Sequence, residues 1–418
     1  MKVLWVSLRL FDDNDEKQTA VWLKALANKL SLFPELQLGN ISKGKNITQI
    51  QRCDYGNINQ WALPPFSINK QGLPDSSICE AYNTILKEFK PDIIQIWGSE
   101  NPLKMLPFIN IYPAAKVLTM QGVMASIADK SLIGISFGDL IKTFGIRELI
   151  KRENIYSTAK SFDVEAKLEN EMILKSDFII TQSNWTDSQI KHLNKKAKFF
   201  RVQRELRPDF VTVDKKWTEV PHSQPIIYSA AVGYTLKGLH ILIKALAIIK
   251  SYYPNIELRL AGAIGRTDLF GDGYLRLILK YIKANDLENN VVWLGAISSK
   301  DIITNLQEAS VFVNPSFVES YSMVVAESMA IGTPAVISYA GAMPELAEDK
   351  KEALFFTPGD FKQLASCIIS LLSDAELSKK ISLAAQERAN LRLNHIDNVI
   401  EQYQIYEEII KVSNSNKL

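Results

Sequence analysis

The sequence is short of the groups that hold metals or clusters. Its 418 residues include three cysteines, Cys53, Cys79 and Cys367, and four histidines, His192, His222, His240 and His395. The cysteines lie far apart with no Cys-x-x-Cys, which argues against a disulfide scaffold and for reduced thiols in a reducing compartment. No His/Cys/Asp cluster has metal-ligand spacing, so no metal is expected. Neither sign of charge dominates: 48 Lys and Arg stand against 46 Asp and Glu, with no long basic run. That balance argues against a nucleic-acid binder. Glycine is too sparse around Gly271-Asp272-Gly273 for a dinucleotide fingerprint. No run of about 18 apolar residues offers a membrane span. Met1 to Leu8 is too short for a signal-peptide core and soon meets Asp12-Asp13-Asn14-Asp15. The expected location is therefore the cytoplasm.

A hydrophobic content of 47% with 22% charged residues describes a globular chain, and its length exceeds one core, so two domains are expected. Apolar runs at Lys2–Val6, Ile93–Trp97, Lys116–Thr119 and Asp177–Thr181 read as strands, each ending in small or polar residues. A helix of period 3.6 runs from about Glu16 to Leu30, with Ala20, Leu23, Leu26, Ala27 and Leu30 on one face. Asp209 to Pro225 has no periodicity and reads as a linker. A second series of strands follows near Ile226–Ser229, Glu257–Ala261, Val291–Leu294, Val311–Asn314, Ala335–Ser338 and Ala353–Phe356, then a final helix from Ile396 to Val412. Two successive α/β series predict two Rossmann-like domains facing a cleft. The boundaries read as 1–208, 209–395, and a terminal helix and tail over 396–418.

The most informative stretch is Phe312 to Glu327. It reads as a buried strand, a short loop carrying Glu319, and a helix carrying Glu327, stopped by Gly332-Thr333-Pro334. Polar groups thus sit at the carboxyl edge of a parallel strand, where open α/β sheets bind ligands. A carboxylate there suits sugar or ribose hydroxyls, and a helix N-terminus suits phosphate. Asn314-Pro315-Ser316 before Glu319, the run from Glu327 through Gly332 to Pro334, and Ala340-Gly341-Ala342-Met343-Pro344-Glu345-Leu346 beyond the next strand resemble the donor site of retaining nucleotide-sugar glycosyltransferases of family 4. The resemblance implies the two-domain GT-B fold, with the last helix crossing back to brace the first domain. It places Glu319 near the donor sugar and Glu327 on the ribose. Ser320, Tyr321, Ser322, Met323 and Val324 would line the sugar and phosphates, and Ile297 would lie beside the base. Trp293 is read as core. Lys237, in Lys237-Gly238-Leu239-His240, takes the place of the lysine that pairs with the donor diphosphate. The arginine usual five or six residues earlier is replaced by Ala231 and Val232.

The first half departs further. The loop after the first strand is Arg9 to Asn14, not the usual Gly-Gly pair. Gln121 and Gly122 take the place of an acceptor-side histidine, and Glu100 is a further acceptor-side candidate. Arg204 or Arg207 could reach phosphate from the loop that ends the first domain. Asp13-Asn14-Asp15 has the Asp-x-Asp form of single-domain, metal-dependent glycosyltransferases, but it follows the first strand and reads as a polar loop. No cofactor is therefore expected beyond the nucleoside diphosphate sugar, a UDP-sugar or similar. The acceptor would be a saccharide or a lipid-linked one. Leu140 to Arg152 combines Leu140, Ile141, Phe144 and Ile150 with Lys142, Arg147, Lys151 and Arg152, which suits a packed helix or a peripheral contact at the inner membrane face. The resemblance implies a retaining hexosyl transfer in surface-polysaccharide or glycolipid synthesis, without a protein nucleophile. The alternatives are a nucleotide-sugar epimerase of the same architecture and a non-catalytic nucleotide-sugar binder.

Overall fold

The structure, a computed structural model, describes residues 1–12, 21–145, 148, 154–204, 206–218, 224–263, 273–393 and 398–415. The chain divides into two compact units. One comprises Met1–Ala125, Phe162–Glu205 and Ile396–Leu418; the other comprises Ser126–Ser161 and Leu206–His395.

In the first unit, eight strands form one sheet: β1 (Lys2–Val6), β2 (Gln37–Lys43), β3 (Gln51–Arg52), β4 (Asn59–Leu63), β5 (Ile93–Trp97), β6 (Ala115–Thr119), β7 (Phe178–Thr181) and β8 (Lys198–Arg201). Their order is β3-β4-β2-β1-β5-β6-β7-β8. All neighbours are parallel except the β3–β4 edge pair. Successive residues of β1 enter opposite cores: Leu4 and Val6 join one, Val3 and Trp5 the other. Both faces are covered, which is why the strand reads as a continuous apolar run. The helix Asn398–Ser415 closes one face through Val399, Ile405, Tyr406 and Ile409 and packs on the helix Val21–Leu30. The Glu16 to Ala20 part of the expected first helix lies outside the described residues.

The second unit carries a six-stranded, wholly parallel sheet of β9 (Ile226–Ser229), β10 (Glu257–Ala261), β11 (Val291–Gly295), β12 (Val311–Asn314), β13 (Ala335–Ser338) and β14 (Leu354–Phe356). The order β11-β10-β9-β12-β13-β14 sends the chain outward from β9, then back to lay β12 against β9's other side. The strand order therefore reverses between β9 and β12, and a crevice opens at their carboxyl ends. Alternation again splits the core: Ile227, Val311, Val313 and Val336 face one way, Tyr228, Phe312, Ala335 and Ile337 the other.

Two expectations change here. Residues 126–161, read as part of the first domain, belong to the second unit. Their helix Phe137–Thr143 packs on the helix Gly273–Ala284, where Arg276 Nη1 donates to the carbonyl of Thr143 at 3.0 Å and pairs with Glu148 at 3.1 Å. The stretch from Asp209 is not a free linker through its described part. Phe210 is fully buried, and Trp217 is pinned by bonds from its backbone N to Ile331 and from Nε1 to Ala309. Burial of two large aromatic side chains outweighs the missing periodicity.

Candidate functional site

The crevice between β9 and β12 gathers the residues singled out in the second half of the sequence. After β9 the chain makes a short 3-10 turn over Thr235–Lys237 and enters the helix Leu239–Lys250 through Gly238, at φ 71°. A Cβ on Gly238 would stand 2.0 Å from the carbonyl oxygen of Pro315, so only glycine lets the two loops meet. Lys237 Nζ thereby reaches Glu319 Oε1 at 2.7 Å, and Ser316 Oγ donates to the same oxygen at 2.8 Å. Glu319 is 9% exposed at its side chain and Lys237 40%. Gly341 supports the glutamate loop from below: a Cβ there would lie 2.1 Å from the Glu319 carbonyl, which instead accepts from Ala342 N at 2.8 Å.

Behind this loop Phe317 stacks on His240, with ring centroids 5.7 Å apart. The His240 ring is buried, shares a 2.8 Å hydrogen bond with Tyr274, and has its pKa pushed down to about 4 by burial and by Lys244. It is a neutral spacer in the loop's support.

A recess of about 270 Å³, open to solvent, lies above these residues. Ser229, Lys237, Asn314, Glu319, Ser322 and Val324 are among its walls. The helix Met323–Ile331 begins at its rim. Ser322 precedes that helix, but its side chain does not cap it. Its Oγ instead accepts from Asn314 Nδ2 at 3.0 Å. The first-turn amides are thus left to whatever enters the recess. Ser320 and Ser322 are buried, and Tyr321, Met323 and Val324 are half-buried around the same loop. Ile297 packs on the same core as Tyr321, Met323 and Val324. Trp293 packs on the opposite core, as read from the sequence.

Glu327, one turn along that helix, is 1% exposed and faces Arg207. Arg207 Nε and Nη2 hold its two oxygens at 2.6 and 2.7 Å, and Nη1 reaches Ser299 Oγ at 3.1 Å. Burial pushes the Glu327 carboxyl up and Arg207 pulls it down. Arg207 thus belongs to the second unit itself. Arg204 belongs to the first, its guanidinium 4.7 Å from the Trp22 ring centroid.

In the first unit, strand order reverses at β1 and β5. Glu100 follows β5; Gln121 and Gly122 follow β6. A Cβ on Gly98 would meet Glu100 Oε2 at 2.2 Å and Gln121 Cδ at 3.3 Å, so these two candidates converge on one glycine. Glu100 Oε2 is buried without a hydrogen-bond partner. Close by in sequence, Ser99 Oγ donates to the buried Glu169, which also accepts from Met124 N at 2.8 Å. Burial raises the Glu169 and Glu165 carboxyls to about 7.

Comparison with known proteins agrees with this geometry. Residues 211–388 match the family described as glycosyl transferases group 1. The match lies wholly within the second unit and covers less than half of the chain. Similar sequences include an uncharacterized glycosyltransferase of Bacillus subtilis, 27% identical over 49% of this chain and 56% of that protein. Another is the glycogen synthase of Mycobacterium tuberculosis, 25% identical over 60% of this chain and 58% of that one. The chain spans little more than half the length of these relatives. Among solved structures, sucrose-phosphate synthase of Thermosynechococcus elongatus superposes with a TM-score of 0.72 at 15% identity, over 98% of this chain and 99% of its own. Anabaena HepE in complex with UDP-glucose gives 0.65 at 17%, over 98% and 99%. These likenesses fix the fold as GT-B.

The structure brings Lys237 and Glu319 together, as it does Arg207 and Glu327, whose pairing the sequence did not show. A loop arginine 120 positions away has no local signal. The bulky Phe210 just after it, in a stretch otherwise without pattern, was the one hint of a packed segment. Several expectations lie outside the described residues: Asp13, Asn14 and Asp15, and Arg147, Ile150, Lys151 and Arg152 of the proposed membrane-facing segment. Within that segment Leu140 is half-buried, while Ile141 and Phe144 are exposed. No helix among the described residues is long and apolar enough to cross a membrane.

Proposed function

We propose that the protein is a retaining glycosyltransferase that moves a hexosyl unit from a nucleoside diphosphate sugar to a hydroxyl acceptor in cell-surface polysaccharide or glycolipid synthesis. The observation that carries this reading is the meeting of Lys237 and Glu319 at the sheet's switch point, beside a helix start that no side chain caps. A diphosphate entering the recess brings negative charge to the Lys237 ammonium and the amides of Met323 and Val324. Charge grows on that diphosphate as the sugar leaves, so these fixed donors favour the transition state over the ground state. Glu319, held by Ser316, then faces the sugar hydroxyls. The acceptor hydroxyl attacks on the same face as the departing diphosphate, without a covalent intermediate on the protein. The UDP-glucose complex of Anabaena HepE supports a donor of this class. Glu100, Gln121 and Gly122 are the proposed acceptor-side residues, and the exposed Phe137, Ile141 and Phe144 favour a lipid-linked acceptor reached from the cytoplasmic side.

The test is a thermal-shift screen of nucleoside diphosphates and their sugars, followed by transfer to saccharide acceptors with and without EDTA. A bound donor raises the melting temperature, and transfer persists in EDTA. If no nucleotide shifts the transition, the proposal fails. Loss of transfer in EDTA with rescue by Mn²⁺ would replace the metal-free mechanism.

A further inference from the structure

Lys237 carries a long flexible stem, 40% exposed, on a turn of three residues. On the donor-site reading above, its ammonium must be aimed at one place, and the freedom of the stem works against that. We infer that Thr235 is a positioning residue for the reaction: by bonding a carbonyl 104 residues earlier in the chain, it fixes the turn from which Lys237 meets the donor diphosphate. The far side of that turn is tied to the Glu319 loop. The Leu236 carbonyl accepts from Phe317 N at 2.8 Å, and Gly238 lies against the Pro315 carbonyl. On the near side the chain enters through Gly233 and Tyr234, both exposed, with Gly233 at φ 121°. Thr235 is the first buried residue after them, 8% exposed, and its Oγ1 donates to the Ser131 carbonyl.

The partner carbonyl is itself held. Ser131 is 4% exposed, its Oγ donates to the Ala128 carbonyl at 2.8 Å, and among the described residues no other donor is bonded to its own carbonyl. Three residues on, the Gly134 backbone comes so close to His240 that a Cβ would stand 2.6 Å from Nε2. Residues 131–134 therefore touch the Lys237 turn at Thr235 and, at His240, the ring that stacks on Phe317 behind Glu319. Within the turn the Lys237 and Gly238 amides are already used, on the carbonyls of Tyr234 and Thr235 at 2.9 Å each, so neither can replace the threonine hydroxyl. Without it a buried carbonyl loses its donor and the near side of the turn loses its tie. A shift of about one ångström would carry the ammonium off a phosphate oxygen, and misplacement on that scale lowers rate. The surroundings of the nucleoside would not change. Loss of Thr235 is therefore expected to act at the phosphate and in turnover, not in the hold on the base.

The test is a double-mutant cycle read by calorimetric titration. The ligand is whichever of UDP, GDP and ADP binds the wild type most tightly, with the matching nucleoside as the phosphate-free control. The variants are Thr235→Val, Thr235→Ser, Lys237→Ala and the double Thr235→Val/Lys237→Ala. Thr235→Val keeps the shape and removes the hydroxyl. It should weaken nucleoside diphosphate binding about three- to tenfold, leave nucleoside binding as it was, and lower kcat with the matching sugar donor about tenfold or more. Thr235→Ser should recover most of both losses. In the Lys237→Ala background Thr235→Val should bring no further loss, because it acts through the lysine. If Thr235→Val does not fold, as melting curves will show, Thr235→Ala takes its place in the cycle, since it puts no methyl group against the Ser131 carbonyl. The inference is overturned if the threonine substitution costs the same factor with and without Lys237, if nucleoside and nucleoside diphosphate lose equally, or if the variant binds and turns over as the wild type does. A loss in Lys237→Ala with none in Thr235→Val strikes the inference alone. If the wild type binds none of the three nucleotides, or Lys237→Ala leaves their affinity unchanged, the donor-site reading falls and the inference with it.

Discussion

Lys237 shows what a single residue discloses in a sequence and what it withholds. A lysine at the start of a helix opposes the helix dipole unless an anion is near, and that tension marked it in advance. The structure supplies an anion, Glu319 at 2.7 Å. Lys237→Ala should lower kcat more than it weakens binding of the bare nucleoside, because the charge it meets grows during reaction. Parallel titrations with nucleoside and nucleoside diphosphate check this; equal losses for both would remove Lys237 from the phosphate. Titrating groups of the first unit were not legible, because burial decides them and sequence does not show burial. Glu169, 1% exposed, has its carboxyl raised from 4.5 to about 7 by desolvation, and Glu165 follows it. Between those values the native state holds more protons than the unfolded chain, so stability falls as pH rises from about 4.5 to about 7 and is level beyond. Lys104, fully buried on the carbonyls of Val6 and Trp97, is lowered from 10.5 to about 7 by the same cause. There the unfolded chain holds more protons, and stability rises from about 7 towards 10.5. Melting curves across pH should therefore show a shallow minimum near 7 from these groups. Glu169→Gln should flatten the acid side, and an unchanged acid slope would remove Glu169 as its source.

At the scale of elements, strands with apolar residues at nearly every position were legible, and polar ones were not. β2 runs through Gly39, Asn40 and Ser42 yet is buried from Leu38 to Ser42. Asn40 accepts from Ser7 Oγ at 2.7 Å and donates to Gln60 Oε1 at 2.9 Å, and Gln60 in turn binds the backbone of Phe11 from both its amide atoms. This network holds Arg9 and Phe11, beyond β1, whose side chains gave no hint of how the backbone there is fixed. Polar side chains in a central strand look like a loop until their partners are known. The terminal helix carries a similar device. Tyr406 is fully buried, accepts from Trp5 Nε1 at 2.9 Å and donates to Gln95, which donates onward to Thr119 at 2.8 Å. Tyr406→Phe leaves an indole N–H and an amide oxygen buried without partners, which costs roughly 1–3 kcal/mol for each unsatisfied group. Urea denaturation should show a lower midpoint at an unchanged slope. A midpoint equal to wild type would mean that water enters and replaces the hydroxyl.

For the whole molecule, the sequence disclosed two α/β series but not how the chain shares them. It passes between the units four times, at residues 125/126, 161/162, 205/206 and 395/396. Periodicity identifies an element without saying which sheet it covers, so 126–161 was assigned to the unit that precedes it. Its side chains tie it to the other. Thr235 Oγ1 donates to the carbonyl of Ser131, and a Cβ on Gly134 would come within 2.6 Å of His240 Nε2, so the backbone there lies directly on the histidine behind the Glu319 loop. The consequence can be tested with fragments. Residues 206–395 alone lack the cover over Thr235, His240 and the helix Gly273–Ala284, and should aggregate or melt at a lower temperature. Fusing residues 126–161 ahead of them through a flexible Gly-Ser linker should restore a cooperative transition and, with it, nucleotide binding. The fusion adds contacts around the supports of Lys237 and Glu319, so recovery of binding should accompany recovery of stability. Equal melting temperatures for the two fragments would show that 126–161 is a passenger on the second unit. A fusion that is stable but silent towards nucleotides would place part of the donor site outside these residues.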